Sequence, residues 1–324
     1  MKWPAPGSRF IRFWNKRGVN VKSKPGTIYS FSRFLCVVGA LFISSGYSAT
    51  VVAQEPKITT VPVTDGVYML QGRGGNIGVS VGTDGVFMID DQYAPMSDAI
   101  RAAVAKLSDQ PIRFLINTHW HGDHTGGNEN FGKLGATIVA HDNVRARLAS
   151  GGEVKAFKMV AQPAPAAALP VITFADGITF HWNGDTLRVE HVASAHTDGD
   201  SVIYFTEANV VHTGDLYFNG FYPFIDASSG GAMAGVIDGV ARMLARIDDR
   251  TRIIPGHGPV SNKAELQAYH DMLKSVYQRI KGMKDAGKSA QEVVAAKPTA
   301  AFDAEWGSGF LQPDKWVEIV YAAI

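Results

Sequence analysis

Cysteine is almost absent: Cys36 is the only one in 324 residues. One thiol cannot close an intrachain disulfide or supply a multi-cysteine zinc site. Long apolar runs are missing too. The strongest is the ten-residue run from Phe34 to Ile43, which excludes a multi-span membrane chain. There is no internal repeat and no charge run. With 46% hydrophobic and 19% charged residues, the composition is that of a folded globular chain, neither disordered nor collagen-like.

Residues 1–53 lack acidic side chains altogether yet carry eight basic ones: Lys2, Arg9, Arg12, Lys16, Arg17, Lys22, Lys24 and Arg33. The apolar run follows, then small and polar residues ending in Val51-Val52-Ala53. That order reads as a signal peptide with a long basic start, cleaved after Ala53, which would place residues 54–324 in the periplasm or outside the cell. The alternative is an uncleaved anchor, since residues 34–54 are uncharged over about the length of a membrane span. No Arg-Arg pair marks a twin-arginine route.

The net charge of +1 therefore conceals two unlike parts. Removing the eight leader cations from 31 leaves 23 against 30 acidic groups, a formal net of −7. The mature part contains no cysteine and all ten histidines. An acidic domain without a basic stripe is a poor partner for nucleic acid or for an anionic membrane, so the expected partner is a small-molecule substrate.

Along the mature part, short β-type runs alternate with helical spacing. Val67–Leu70, Asn76–Gly82 and Val86–Asp90 read as a strand meander. Pro95–Leu107 has helical periodicity through Met96, Ile100, Val104 and Leu107. Ile112–Asn117 reads as a buried strand, and Asn128–Leu134, Asp142–Ala149, Met233–Ile247, Ala264–Met283 and Pro313–Ala322 read as helices. A second group of strands comprises Ile172–Phe174, Ile178–Trp182, Thr186–Val192, Ser201–Phe205 and Asn209–Thr213. Gly151–Pro170, with three prolines and many alanines, reads as a connector, or else as a loop over a site. Helices mixed with two strand groups predict one α/β sandwich, with a helical extension from about residue 263.

The chemistry concentrates in His119-Trp120-His121-Gly122-Asp123-His124, which follows a strand and opens onto Thr125-Gly126-Gly127. Three histidines and an aspartate in six residues make a poor core segment, because every polar atom would need a partner. Imidazole and carboxylate are what zinc and similar divalent ions bind. Further donors follow later strands: His196 in Ser194–Asp200, Asp215 in Thr213-Gly214-Asp215, and His257 in Pro255-Gly256-His257-Gly258-Pro259. Four strand ends thus carry candidate ligands, which places a site along one edge of the sheets.

In this order the H-x-H-x-D-H block with its Thr-Gly-Gly, the isolated His196, the Gly-Asp at 215 and the Gly-His-Gly at 257 resemble the metallo-β-lactamase superfamily over roughly residues 61–262. The resemblance implies an αββα sandwich with two metals. His119, His121 and His196 would hold the first, and Asp123, His124 and His257 the second, with Asp215 bridging. The implied ions are two Zn2+, with Fe or Mn as alternatives. Two such ions lower the pKa of a shared water from about 16 to near neutrality, so that hydroxide can attack a carbonyl at pH 7. Asp123 is the candidate to orient that nucleophile or relay its proton.

Asp at 215, where some true β-lactamases carry Cys, resembles the glyoxalase II and lactonase branches. No Lys or Arg occurs between Arg188 and Arg242 to receive a substrate carboxylate. The expectation is an exported hydrolase of a β-lactam, lactone or ester. A glyoxalase II-like thioester hydrolase is the alternative, although that branch's C-terminal substrate domain is not recognisable here. A relative that binds one iron and oxidises persulfides is a further alternative, though such relatives do not keep the full second donor set.

The other histidines read as structural or exposed: His141, His181, His191 and His270. His212 reads as a satisfied strand residue ahead of a role behind the ligands. Trp120 reads as packing. The aromatic stretch Tyr217–Phe224 is either core or pocket wall, and as a wall its candidate substrate contacts are Asn219 and Tyr222.

Overall fold

The computed structural model describes residues 57–324; the leader expected at 1–53 lies outside the described residues. The first sheet has seven strands. These are β1 (Thr59–Thr64), β2 (Val67–Gln71), β3 (Ile77–Ser80), β4 (Val86–Ile89), β5 (Ile112–Ile116), β6 (Thr137–His141) and, after the hairpin β7 (Gly152–Val154) and β8 (Met159–Ala161), β9 (Ile172–Phe174). The first four run antiparallel, and β4, β5, β6 and β9 run parallel. The second sheet has five strands in sequence order: β10 (Gly177–Trp182), β11 (Asp185–Val192), β12 (Asp200–Phe205), β13 (Val210–His212) and β14 (Arg252–Ile254). Only β13 and β14 pair in parallel within it.

The helices are α1 (Ser97–Val104), α2 (Gly122–Thr125), α3 (Asn128–Lys133), α4 (Asp142–Ser150), α5 (Met233–Arg246), α6 (Lys263–Asp285), α7 (Ala290–Ala295), α8 (Asp303–Trp306) and α9 (Pro313–Ala322). None of the described helices is long and apolar enough to cross a membrane.

Burial separates three layers of contact. Phe87, Ile89, Ile116 and Val139 of the first sheet meet Leu187, Val189, Ile203, Phe205 and Ile254 of the second. Val79, Met88, Leu115 and Ile138 face outward onto Ile100 and Val104 of α1 and Phe131 of α3. Val202, Val211 and Ile253 face the opposite way, onto Val236 and Val240 of α5, Tyr269 and Leu273 of α6 and Trp316 of α9. The strands β3 and β4 are buried on both faces, which is why β4 reads as an unbroken apolar run without alternation. The result is the expected α/β arrangement, helix–sheet–sheet–helix.

Differences from the sequence expectation fall where signals are short. The helix expected at Pro95–Leu107 starts as a 3₁₀ turn at Ala94–Met96 and becomes α-helical only over Ser97–Val104. The strand β1 was not expected, and Gly151–Pro170 is not a plain connector because β7 and β8 form a hairpin in it. Strands of three residues leave no periodicity to read.

Trp316 is fully buried, stacks on Tyr222 at 3.9 Å between ring centroids, and donates its Nε1–H to the Pro223 carbonyl at 2.7 Å. Trp316→Ala should destabilise the fold by about 3–5 kcal/mol in denaturant unfolding; a loss below about 1 kcal/mol would show that α9 does not support the loop at Tyr222.

Candidate metal centre

All seven expected ligands sit on turns that leave strand ends. Asp90, just past β4, fixes the first turn: its two oxygens accept from the Thr118 backbone N–H at 2.7 Å and from Thr118 Oγ1 at 2.8 Å. It does so from a left-handed backbone conformation, φ +62°, which costs energy for a non-glycine residue and marks a functional constraint. His119 follows directly, His121 caps α2 in an extended conformation, and the single turn of α2 carries Asp123 and His124. His196 follows β11, Asp215 follows β13 and His257 follows β14.

Two glycines set the close approach of these turns. A Cβ on Gly256 would stand 2.1 Å from Asp215 Oδ1, and one on Gly75 would stand 2.1 Å from His124 Cε1. Neither position can take a side chain without moving a ligand.

The ligand atoms gather into two groups, His119/His121/His196/Asp215 and Asp123/His124/His257. In the first, His121 Nδ1 lies 3.1 Å from His119 Nε2 and 2.9 Å from His196 Nε2. Asp215 Oδ2 lies 3.7 and 3.5 Å from the latter two nitrogens. In the second, His257 Nε2 lies 3.4 Å from His124 Nε2 and 3.3 Å from Asp123 Oδ2. The other oxygen of Asp215, Oδ1, completes this set at 3.1 Å from His124 and 3.5 Å from His257. Asp215 therefore gives one oxygen to each group.

These separations fit metal ligation. Donors about 2.0–2.1 Å from a tetrahedral ion stand about 3.3 Å from one another, the middle of the observed range. Asp215 Oδ1 is buried without a hydrogen-bond partner, a costly state for a carboxylate oxygen unless a cation faces it.

The outward nitrogens of four rings are all occupied. His124 Nδ1 donates to Asp90 Oδ2 at 2.7 Å, and His196 Nδ1 donates to the Phe224 carbonyl at 2.8 Å. Thr118 Oγ1, already donating to Asp90, accepts from His119 Nδ1 at 3.0 Å. His121 Nε2 donates to Asp226 Oδ2 at 3.0 Å. With a proton on each outer nitrogen, each inner nitrogen turns a lone pair toward its group, the arrangement a metal needs. Asp226 is itself held by the hydroxyls of Ser228 and Ser229. Asp90 and Asp226 were not foreseen. Asp90 carries no local motif, and Asp226 lies 105 residues from the histidine it orients.

Charge within the site is strongly coupled. Burial opposes ionisation of Asp215, but His124, His257 and His119 outweigh it and hold the carboxyl well below its usual range. Asp123 is lowered in the same way, with burial opposing and His124 and His257 prevailing. Burial also opposes a charged His257, yet Asp215 and Asp123 push it up to about 9, and His124 is likewise raised. In the first group burial wins: His119 is lowered, and His196 falls to about 4. Without metal the second group therefore holds protons that a cation must displace.

Tyr222 corrects one expectation. It is fully buried, its hydroxyl donates to Asp303 at 2.9 Å, and its ring stacks on Trp316, which places it in the core and not on an open pocket wall. Asn219 is half-buried and is spent on the loop, its side-chain amide donating to the Pro259 carbonyl at 3.1 Å and its backbone N–H to the His257 carbonyl at 2.9 Å. His212 is a satisfied strand residue: its Nε2 donates to the Asn76 carbonyl and its Nδ1 accepts from the Gly214 N–H. His141 and His191 stack on each other at 3.7 Å away from the ligands, and Trp120 is buried packing.

Two results are expected. Asp226→Ala should weaken metal binding by roughly 10–100-fold through His121; equal affinity in a chelator competition would deny Asp226 that role. Because His124 and His257 carry raised pKa values, protons compete for the second group below about pH 9. Apparent affinity in that competition should therefore rise with pH by up to about tenfold per unit for each proton displaced, and a flat profile from pH 6 to 8 would contradict the charge assignment.

The family model of the metallo-β-lactamase superfamily matches residues 70–257, well over half of the chain. Among curated proteins, the chain is 26% identical over 180 residues to the 2,4-dinitroanisole O-demethylase subunit alpha of Nocardioides sp., covering 51% of this chain and 48% of that protein. It is 26% identical over 178 residues to the hydroxyacylglutathione hydrolase of Polaromonas sp., covering 52% and 57%. The chain thus spans about half the length of the curated relatives it matches. In three dimensions it is similar to the metallo-β-lactamase from Pontibacter korlensis, with a TM-score of 0.57 and 18% identity over 67% of this chain and 99% of that one. The ligand spacing, the helix–sheet–sheet–helix fold and the family match agree, and the chain belongs to the metallo-β-lactamase superfamily.

Proposed function

We propose that this chain is an exported dinuclear zinc hydrolase that cleaves a carbonyl substrate: a β-lactam, lactone or ester. The observation that carries the reading is Asp215, whose two oxygens face two separate and complete donor groups. Zinc ions held by those groups would lower the pKa of a water to near 7 and polarise the substrate carbonyl.

The protein's own residues do the rest. Asp123 is the more open carboxylate, its side chain 24% exposed against 4% for Asp215. It faces the mouth, where it would orient the attacking water or relay its proton. Asp226 and Asp90 hold protons on His121 Nε2 and His124 Nδ1, fixing both rings. The basic, then apolar, leader supports work outside the cytoplasm.

Similarity to a hydroxyacylglutathione hydrolase favours a thioester as the second reading. A one-iron persulfide oxygenase would need only the first donor group, and the complete second group speaks against it.

The test is metal analysis of the purified protein together with a hydrolysis panel: a chromogenic cephalosporin, acyl-homoserine lactones, simple esters and a glutathione thioester. Two zinc ions per chain and turnover of a β-lactam, lactone or ester are expected; one iron with oxygen uptake would overturn the proposal. Asp215→Ala should lower metal content and cut turnover by more than the roughly 10–100-fold expected of an outer partner. Unchanged two-metal binding would refute the bridging role.

A further inference from the structure

The ligands are unevenly exposed. His119, His124, His196 and Asp215 have side chains at most 4% exposed, while His257 and Asp123 are 22% and 24% exposed. The site therefore opens over His257 and Asp123. Aromatic rings continue outward from that opening. Phe218 stacks on His257 at 5.0 Å and 21° between planes. Phe224 lies 5.8 Å from His121 and 5.7 Å from His196. Outside these, Phe310 lies 6.3 Å from Phe218, and Phe157 lies 4.7 Å from Phe224 and 6.5 Å from Phe310.

Phe218 and Phe224 are buried, whereas Phe157 is 38% and Phe310 59% exposed. Phe157 comes from the turn between β7 and β8, where Met159 and Val160 are exposed as well. Phe310 comes from the loop between α8 and α9, where Gly309 packs so closely that a Cβ would stand 2.5 Å from Phe221 Cβ. Two distant segments thus place large apolar side chains in water one ring beyond Phe218 and Phe224, which themselves lie against His257, His121 and His196. Contiguous exposed apolar surface is costly in a soluble protein and marks a binding site. No Lys or Arg occurs between Arg188 and Arg242, the stretch that supplies His196, Asp215, Phe218 and Phe224. The inner part of the wall therefore carries no cation, while Lys155 and Lys158 flank Phe157 at its outer end.

We propose that Phe157 and Phe310 form an apolar wall that receives the alkyl or aryl part of the substrate, so that the enzyme selects esters or lactones with a hydrophobic acyl group. This rests on the hydrolase reading for the reacting bond, and on the ring positions alone for the apolar group. The scissile carbonyl lies at the ligands, and the apolar substituent runs outward over Phe218 and Phe224 to the two exposed rings.

Binding and turnover test it separately. Straight-chain alkyl hydroxamic acids from butyl to dodecyl are titrated into the zinc-loaded protein by calorimetry, and nitrophenyl esters of the same lengths are assayed for hydrolysis. Affinity should rise about fourfold per added methylene until the wall is covered. In Phe157→Ala and Phe310→Ala that rise should drop to about twofold or less per methylene. Both residues are exposed, so folding should be retained, as a thermal melt will show. Leu134→Ala, which removes a side chain 59% exposed at the end of α3, should leave the rise unchanged. Affinity independent of chain length, or a rise that neither variant alters, overturns the wall. So does dimerisation abolished by both variants without chain-length dependence, which would assign these rings to a second copy. Chain-length-dependent binding without turnover of any ester or lactone would sink the hydrolase reading and leave the wall standing.

Discussion

The structure depends on one buried carboxylate, that of Asp215. A carboxylate withdrawn from water is stable only where positive charge or hydrogen-bond donors face both oxygens. Here Oδ2 faces the inward lone pairs of His119 and His196, and Oδ1 faces His124 and His257, so a cation held in each group would supply that charge. Satisfying both requires turns from four strand ends, in two sheets, to meet at one edge. The two sheets pack through Ile116, Leu187, Val189 and Ile254, residues in or adjoining strands that lead to these turns. The sheet-on-sheet core and the metal centre are therefore the same constraint seen at two distances.

Outer partners turn proximity into ligation. A histidine ring can present either nitrogen, and the hydrogen bond on the far side decides which. Asp90 secures His124 directly and His119 through Thr118, so one strained residue after β4 orients a ring in each group. Asp226 does the same for His121, which alone of the first group presents Nδ1. The loop that carries Asp226 also carries Phe224, and α9 braces it through Trp316 beneath Tyr222 and Pro223. The C-terminal helices thus belong to the architecture of the site.

Much of this was legible in the sequence. His119, His121, Asp123 and His124 are legible because a metal-binding cluster in six residues leaves no room for a core, and His196, Asp215 and His257 because each follows a strand in a small-residue turn. Strands with alternation or unbroken apolar runs, such as β5 and β11, were readable for the same physical reason that they are buried. What was not legible depends on distance. Asp226 and Asp90 act through pairings that no local pattern encodes. Tyr222 reads equally as core or pocket wall until Trp316, 93 residues beyond the Pro223 carbonyl it bonds, is seen stacked on its ring. The hairpin β7–β8 is too short for periodicity, yet it brings Phe157 to the mouth.

The most direct test of the account is anomalous diffraction at the zinc edge from crystals of the zinc-loaded protein. The account predicts two peaks about 3.5–4 Å apart, one among His119, His121 and His196, the other among Asp123, His124 and His257, with Asp215 between them. A single peak in the first group, with His124 and His257 bound only to carboxylates, would contradict it.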